Sequence, residues 1–432
     1  MATLGGKRKK ITVVVVRLFL SAALFLAITA PLGMLIYHYH NQIPTNLYFW
    51  AEEEQKIDFG LPATGMVRTT SSGPKSNIPK GAVFVDLSGP VTMRTGRQDE
   101  YDMEVKLFGI LPLKKVNIHV IENRQLIPMG TPVGIYMKSK GVLVIGVAEF
   151  ETETGEMVSP AKNVLKSGDY IVEVNGKPVK DKEELMKDIS DCDGKGVLFT
   201  VEREGETEEK LVIPKRTITG EYKAGIWVRD NVQGVGTLTY LDANGRFGAL
   251  GHGITDVDTG TVFEVDKGIL YQTQIVNLRK GEDGRPGEMT GRIIYEDQFI
   301  LGEIEKNNNK GIFGKYHDKI AEQVTQEALP IGFKQEIECG PAQILCTIDE
   351  NPKTYQVEIT KLHLDHDNVN RGIELKVTDP ELLSDTGGII QGMSGSPILQ
   401  NGKIIGAVTH VLVNSADRGY GIFIENMLSE TE

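Results

Sequence analysis

The sequence predicts a mainly β protein: one N-terminal transmembrane helix, then a small α+β domain, then a larger all-β domain. Three observations carry that expectation. An uncharged apolar stretch near the N-terminus is long enough to cross a bilayer. Short runs of alternating apolar residues recur from residue 82 onward, separated by turn signals. Glycine fills 48 of the 432 positions, which favours turn-rich β structure over long helices.

The membrane segment comes first. Residues 5–10 read GGKRKK, and an apolar run over 11–37 follows, interrupted by Arg17 and Pro31. Residues 18–37 carry no charge, and as a helix they span about 30 Å, the thickness of the hydrocarbon core. The bases Lys7, Arg8, Lys9, Lys10 and Arg17 should stay cytoplasmic, so the rest of the chain is exported. Tyr37, Tyr39, Tyr48 and Trp50 suit the far interface. The alternative is a cleaved signal peptide. The apolar run is longer than the usual signal core of about 7–15 residues, and LAITA is a poor small-x-small site. The reading adopted is an uncleaved anchor within 1–40, and either reading puts the body outside the cytoplasm.

Charge and cysteine narrow the function classes. Beyond residue 17 there are 42 bases against 59 acids, a net charge of −17. Such a body has no electrostatic reason to bind nucleic acid, because neutralising phosphate takes a basic surface. The three cysteines, Cys192, Cys339 and Cys346, are too few and too odd in number for a disulfide framework, although Cys339 and Cys346 could close a small loop. No Cys/His cluster has zinc-ligand spacing; His363 and His366 sit in a charged, turn-like stretch.

Residues 41–82 read as a flexible stalk: Pro, Gly, Ser and Thr dominate and no apolar period survives. Residues 83–127 form a β-rich region with the runs AVFVDL, MEVKLF and KKVNIHV close by or within it. In residues 128–215, a glycine-containing turn at PVGIYM leads to the strand GVLVIGV, then a short helix after Pro160, then the strand DYIVEV closed by an Asn175-Gly176 turn. Leu185, Met186 and Ile189 follow at helical spacing, and two more strands finish the block. This order, with SGDYIVEVNG at its centre, resembles a PDZ domain. Such domains add a peptide as an extra strand and capture its terminal carboxylate on backbone N–H groups. The resemblance puts that carboxylate loop at Val133, Gly134 and Ile135. The loop departs from the common GLGF form.

Residues 216–432 are strand-rich again, with one helix expected over 317–326 and frequent Gly turns, which suggests a barrel or double barrel. Here lies the chemistry. Residues 391–397 read QGMSGSP, and NGKIIGAVT follows over 401–409. This pattern is similar to the nucleophile region of chymotrypsin-like serine proteases. A serine hydroxyl is a poor nucleophile unless its loop presents it to a base. The same loop must aim N–H groups at the oxygen under attack. By resemblance Ser394 is the nucleophile and the N–H groups of Gly392 and Ser394 form the oxyanion hole, while Ser396 competes for the nucleophile role. A second element, FGALGHGITD over 247–256, sets His252 between two glycines, a poor place for a packing residue and a good one for a general base. His410, on the strand after the serine, is its rival.

Together FGALGHGITDVDTG, IIQGMSGSPILQNGKIIGAVTHV and KLFGILPLKKVNIHVIE resemble the SpoIVB peptidase family of endospore formers. That resemblance implies a serine endopeptidase with a PDZ domain and a chymotrypsin-like catalytic domain. The motifs map its His to His252 and its Ser to Ser394, and its acid to Asp379 in VTDP, 15 residues before the serine. From the residues alone Asp256, Asp258, Asp365, Asp367 and Asp385 remain possible orienting groups. The family further implies self-cleavage, cutting of a membrane-bound regulator to trigger sigma-factor precursor processing, and residence between the forespore and mother-cell membranes. The mechanism requires no cofactor and no metal. The competing class is a membrane-tethered PDZ adaptor whose protease-like domain is inactive.

Overall fold

The computed structural model describes residues 4–69, 82–96, 100–321, 324, 326–365 and 367–431. The first helix, Leu4–His40, follows from the apolar run. Its segment Phe19–His40 has a mean hydropathy of 2.2 and is long and apolar enough to cross a membrane. The chain separates into two compact units, with the main break between Asn123 and Arg124.

In the first unit a five-stranded sheet runs in the order Asn46–Trp50, Leu111–Ile121, Glu100–Leu107, Ala63–Thr69, Val83–Asp86. A two-stranded ribbon pairs Glu54–Ile57 with Val91–Arg94. This corrects the stalk expected over 41–82. Alternate side chains, Leu47 and Phe49 among them, go into a core with Leu61, Ala63, Met103, Val105 and Ile118. The alternation is too short to stand out among Pro, Gly and Thr, but pairing with the strongly patterned strands of 100–121 makes it sufficient. Residues 70–81 of the expected stalk lie outside the described residues.

The second unit is organised around one 23-residue strand, Gln125–Val147. Its C-terminal part pairs with Tyr170–Val174, which pairs in turn with Val197–Arg203 and then Glu206–Val212. Helix Lys182–Ser190 covers this sheet. Asp181 caps it by accepting from the Glu184 N–H at 2.8 Å, and Leu185 and Ile189 pack into a core with Val144, Ile171 and Phe199. Met186, expected on the same apolar face, is exposed. The rest of the long strand pairs on one edge with Ile226–Asp242 and on the other with Val265–Arg279. Strands Arg246–Ala249, Gly311–Tyr316 and Ile300–Asn308 complete the circuit, so six strands close a first barrel.

The second barrel is closed by Gly340–Cys346, Lys353–Leu362, Ile373–Val377, Ser415–Phe423, Lys403–Leu412 and Pro397–Gln400. The expectation of a double barrel is met. The long strand belongs to both the α+β sheet and the first barrel, so the domains expected over 128–215 and 216–432 share it. Of the helix expected over 317–326, Asp318–Ala321 makes a single turn, and 322, 323 and 325 lie outside the described residues.

The α+β sheet contains one buried ion pair. Asp169, 1 % exposed, accepts from Arg203 Nε at 2.6 Å and from its Nη2 at 2.7 Å. Arg203→Ala leaves that carboxylate buried without its counter-charge, held only by the Lys166 N–H at 2.9 Å, and stability is expected to drop by about 3 kcal/mol. Urea unfolding of the detergent-solubilised chain would register this as a lower midpoint; an unchanged midpoint would mean that water replaces the guanidinium at no cost.

Candidate active site

The Ser394 loop is tied to both barrels. Gly392 and Gly395 have φ of +102° and +99°. A Cβ on Gly395 would lie 2.0 Å from the Thr237 carbonyl oxygen, so only glycine allows the loop this close to the first barrel. The Thr237 N–H donates to the Ser394 carbonyl at 2.9 Å and its hydroxyl to the Gly392 carbonyl at 2.7 Å. On the other side the Gly395 N–H donates to the Val408 carbonyl at 2.7 Å. Among the described residues the N–H groups of Gly392 and Ser394 have no hydrogen-bond acceptor. Ser394 is partly accessible, whereas Ser396 is fully buried with its hydroxyl unpartnered.

The histidine loop reaches the same place from the first barrel. After strand Arg246–Ala249, Leu250 and Gly251 both take positive φ, which turns the chain sharply and brings His252 inward. The Leu250 N–H donates to the Thr237 carbonyl at 3.1 Å. Gly251 lies against Thr409 and Ile422 of the second barrel, where a Cβ would come within 3.1 Å and 2.9 Å of their methyl groups. The loop is braced by Asn307, which accepts from the Ile254 N–H at 2.8 Å and donates to the carbonyls of Ile254 and Phe263 at 2.9 and 2.8 Å. His252 Nδ1 donates to the Gly253 carbonyl at 2.9 Å, which leaves Nε2 as the acceptor nitrogen. Desolvation lowers its pKa from the ordinary histidine value, and the Gly253 contact opposes this only in part. The His410 ring lies 4.9 Å from the His252 ring, so the two candidate bases are neighbours. Desolvation, then His252 and Arg371, push His410 down as well.

In this structure Ser394 Oγ donates to the Thr409 carbonyl at 2.6 Å and not to His252. Asp379 is placed differently from the expectation. Its carboxylate caps helix Pro380–Thr386, accepting from the N–H groups of Glu381 and Leu382 at 3.0 and 3.2 Å, and accepts from Gln356 N–H at 3.1 Å. No hydrogen bond joins it to His252. The reason is local: Asp followed by Pro at the start of a helix is a strong N-cap signal. Burial would raise the Asp379 pKa, but the three N–H donors outweigh it and hold it below the usual value. Of the other acids, Asp256 pairs with Arg229 and Asp365 with Lys114.

Val133, Gly134 and Ile135 do not form a carboxylate loop. They lie mid-strand in Gln125–Val147, paired with Gly236, Val235 and Gly234 on one edge and with Gln272, Tyr271 and Leu270 on the other. With both edges occupied, a peptide cannot add there. A groove of about 510 Å³ lies instead beside helix Lys182–Ser190, lined by Leu185, Met186, Ile189, Tyr222 and Ile226. Cys339 and Cys346 are unpaired, and His366 lies outside the described residues. Sequence reasoning also missed Asn307, near the end of strand Ile300–Asn308, and Asn370, in the turn Val369–Arg371; their only visible signal was a polar neighbourhood.

Two family models match the chain. The SpoIVB peptidase S55 family matches residues 220–428, and the PDZ domain family matches residues 133–212. Among solved structures, an inactive serine-to-alanine mutant of Rv3671c from M. tuberculosis H37Rv is 13 % identical, over 45 % of this chain and 80 % of that one, with a TM-score of 0.24. The protein is a serine peptidase with a PDZ domain. It belongs to the SpoIVB peptidase S55 family. Its substrates are therefore proteins, and its apolar N-terminal helix is a signal or an anchor.

Two predictions follow from the geometry. The acid limb of kcat/KM reports the base of the free enzyme. With His252 lowered, activity should persist as pH falls through about 6.5, and decay only at a lower pH where the imidazole protonates. A limb at or above that value would contradict the burial of His252. Asp379→Asn keeps one capping oxygen but loses the acceptor for Gln356, so it should cost roughly 1 kcal/mol and leave turnover within a few-fold. A folded Asp379→Asn slowed by about 10⁴-fold would return the carboxylate to the triad.

Proposed function

We propose that this chain is a signalling endopeptidase of sporulation that works by acyl transfer, with Ser394 as nucleophile and His252 as general base. The observation that carries the proposal is the meeting of the two loops at Thr237: its N–H binds the Ser394 carbonyl and its carbonyl binds the Leu250 N–H. His252 Nε2 takes the proton as Ser394 Oγ bonds to the scissile carbonyl carbon. The carbonyl oxygen becomes an oxyanion, held by the N–H groups of Gly392 and Ser394. His252 passes its proton to the leaving amine, and the acyl-enzyme forms. Water, deprotonated by His252, then releases the acid and restores Ser394. No acid is assigned a step; the Gly253 carbonyl supports the required histidine tautomer.

Family membership supports the finer reading: self-cleavage, and cutting of a membrane-bound regulator that triggers sigma-factor precursor processing between the forespore and mother-cell membranes. The groove beside helix Lys182–Ser190, not the Val133 segment, is where we place peptide binding by the PDZ domain. One observation favours the adaptor reading instead: the Ser394 hydroxyl points at Thr409 and not at His252.

A fluorophosphonate separates the two. It should modify Ser394 in the wild-type chain, and Ser394→Ala should abolish both labelling and the Ser394-dependent fragments seen when the N-termini of the expressed chain's products are sequenced. The loss should reach about 10⁴-fold, with His252→Ala as inactive and the double variant no worse. Ser396→Ala removes a buried hydroxyl without a partner and should leave activity largely intact. A wild-type chain inert to the probe would establish the adaptor.

A further inference from the structure

The two loops of the site are joined at a second point, on the far side from Thr237. Asn370 lies in the turn Val369–Arg371 of the second barrel and is buried. Its side-chain Nδ2 donates to the Gly251 carbonyl at 2.6 Å, the residue before His252. It also donates to the Asn309 carbonyl at 2.7 Å, in the turn against which the histidine loop packs. Its own carbonyl accepts from the Thr409 hydroxyl at 2.6 Å. The Thr409 carbonyl, in turn, holds the Ser394 hydroxyl. One asparagine therefore links the peptide carrying the base to the strand that holds the nucleophile, and neither amide hydrogen is left over.

We propose that Asn370 is a positioning residue for acyl transfer, fixing His252 relative to Ser394 by clamping the Gly251 carbonyl to Thr409. The inference rests on the peptidase reading above and adds a residue to it. An amide suits the task chemically. It offers two N–H donors to two carbonyls, which an aspartate at this place would meet with charge repulsion. Both carbonyls come from the first barrel and Thr409 from the second, so the clamp spans the catalytic interface. Misplacing reacting groups by about 1 Å can cost about 10²-fold in rate. Loosening the loop also lets water reach His252, whose lowered pKa comes first from desolvation.

The test uses the full chain in detergent, with a fluorophosphonate as probe. The labelling rate of Ser394 is followed against pH, and thermal unfolding measures the folded fraction. In Asn370→Ala the rate at neutral pH should fall by about 10²-fold at an equal folded fraction, and the acid limb should move up towards the ordinary histidine value. Thr409→Val removes the hydroxyl that holds the Asn370 carbonyl but keeps the carbonyl that holds Ser394. It should also be slow, and the two changes should not add when combined. A folded Asn370→Ala that labels within threefold of wild type with an unmoved acid limb overturns the proposal. If Asn370→Ala does not fold, a folded Thr409→Val of wild-type rate and limb overturns it equally. A wild-type chain that does not label at Ser394 at all refutes the peptidase reading, a different result from either.

Discussion

Thr237 is a buried residue whose peptide group does two jobs at once. Its N–H binds the Ser394 loop and its carbonyl binds the start of the His252 loop. Buried backbone groups must be paired, so this arrangement is obligatory once the barrels close. The rest of the site depends on it. Both loops take sharp glycine-dependent paths, and Thr237 is one of the contacts that set their separation. Asn370 makes the complementary link from the second barrel, so the site is held by polar contacts on two sides.

The strand Gln125–Val147 imposes the second constraint. One continuous strand serves the PDZ sheet and the first barrel, with Gly141 at positive φ where it passes close to Ile171. A rigid strand shared by two sheets couples them as no flexible linker would. It also explains why the segment expected to receive a peptide carboxylate is unavailable: its hydrogen bonds are spent inside the barrel. The groove proposed for peptide binding lies instead beside the helix Lys182–Ser190.

Much of this was legible in the sequence because the signals were short-range. The apolar N-terminal run, the helix with Leu185 and Ile189, and the strand alternation all depend on neighbours within a few residues. The strands of 46–69 were not legible. Their side chains are weakly patterned, and they exist because partners from about 30 to about 70 residues on complete their hydrogen bonds. A strand without its partner carries little local signature.

For the candidate site the division is just as clear. The sequence by itself determined which serine and histidine to consider, since both sit among glycines, and Gly392 and Gly395 take φ of +102° and +99° beside Ser394. It also determined that the body is acidic and follows an apolar helix. Only the tertiary structure decided that Ser396 is buried, that His410 stands beside His252, that Asp379 caps a helix, and that Asn370 joins the two loops. Those facts depend on contacts between residues tens to hundreds of positions apart. Distance in space between such residues is set by how the barrels close, and no local pattern encodes it.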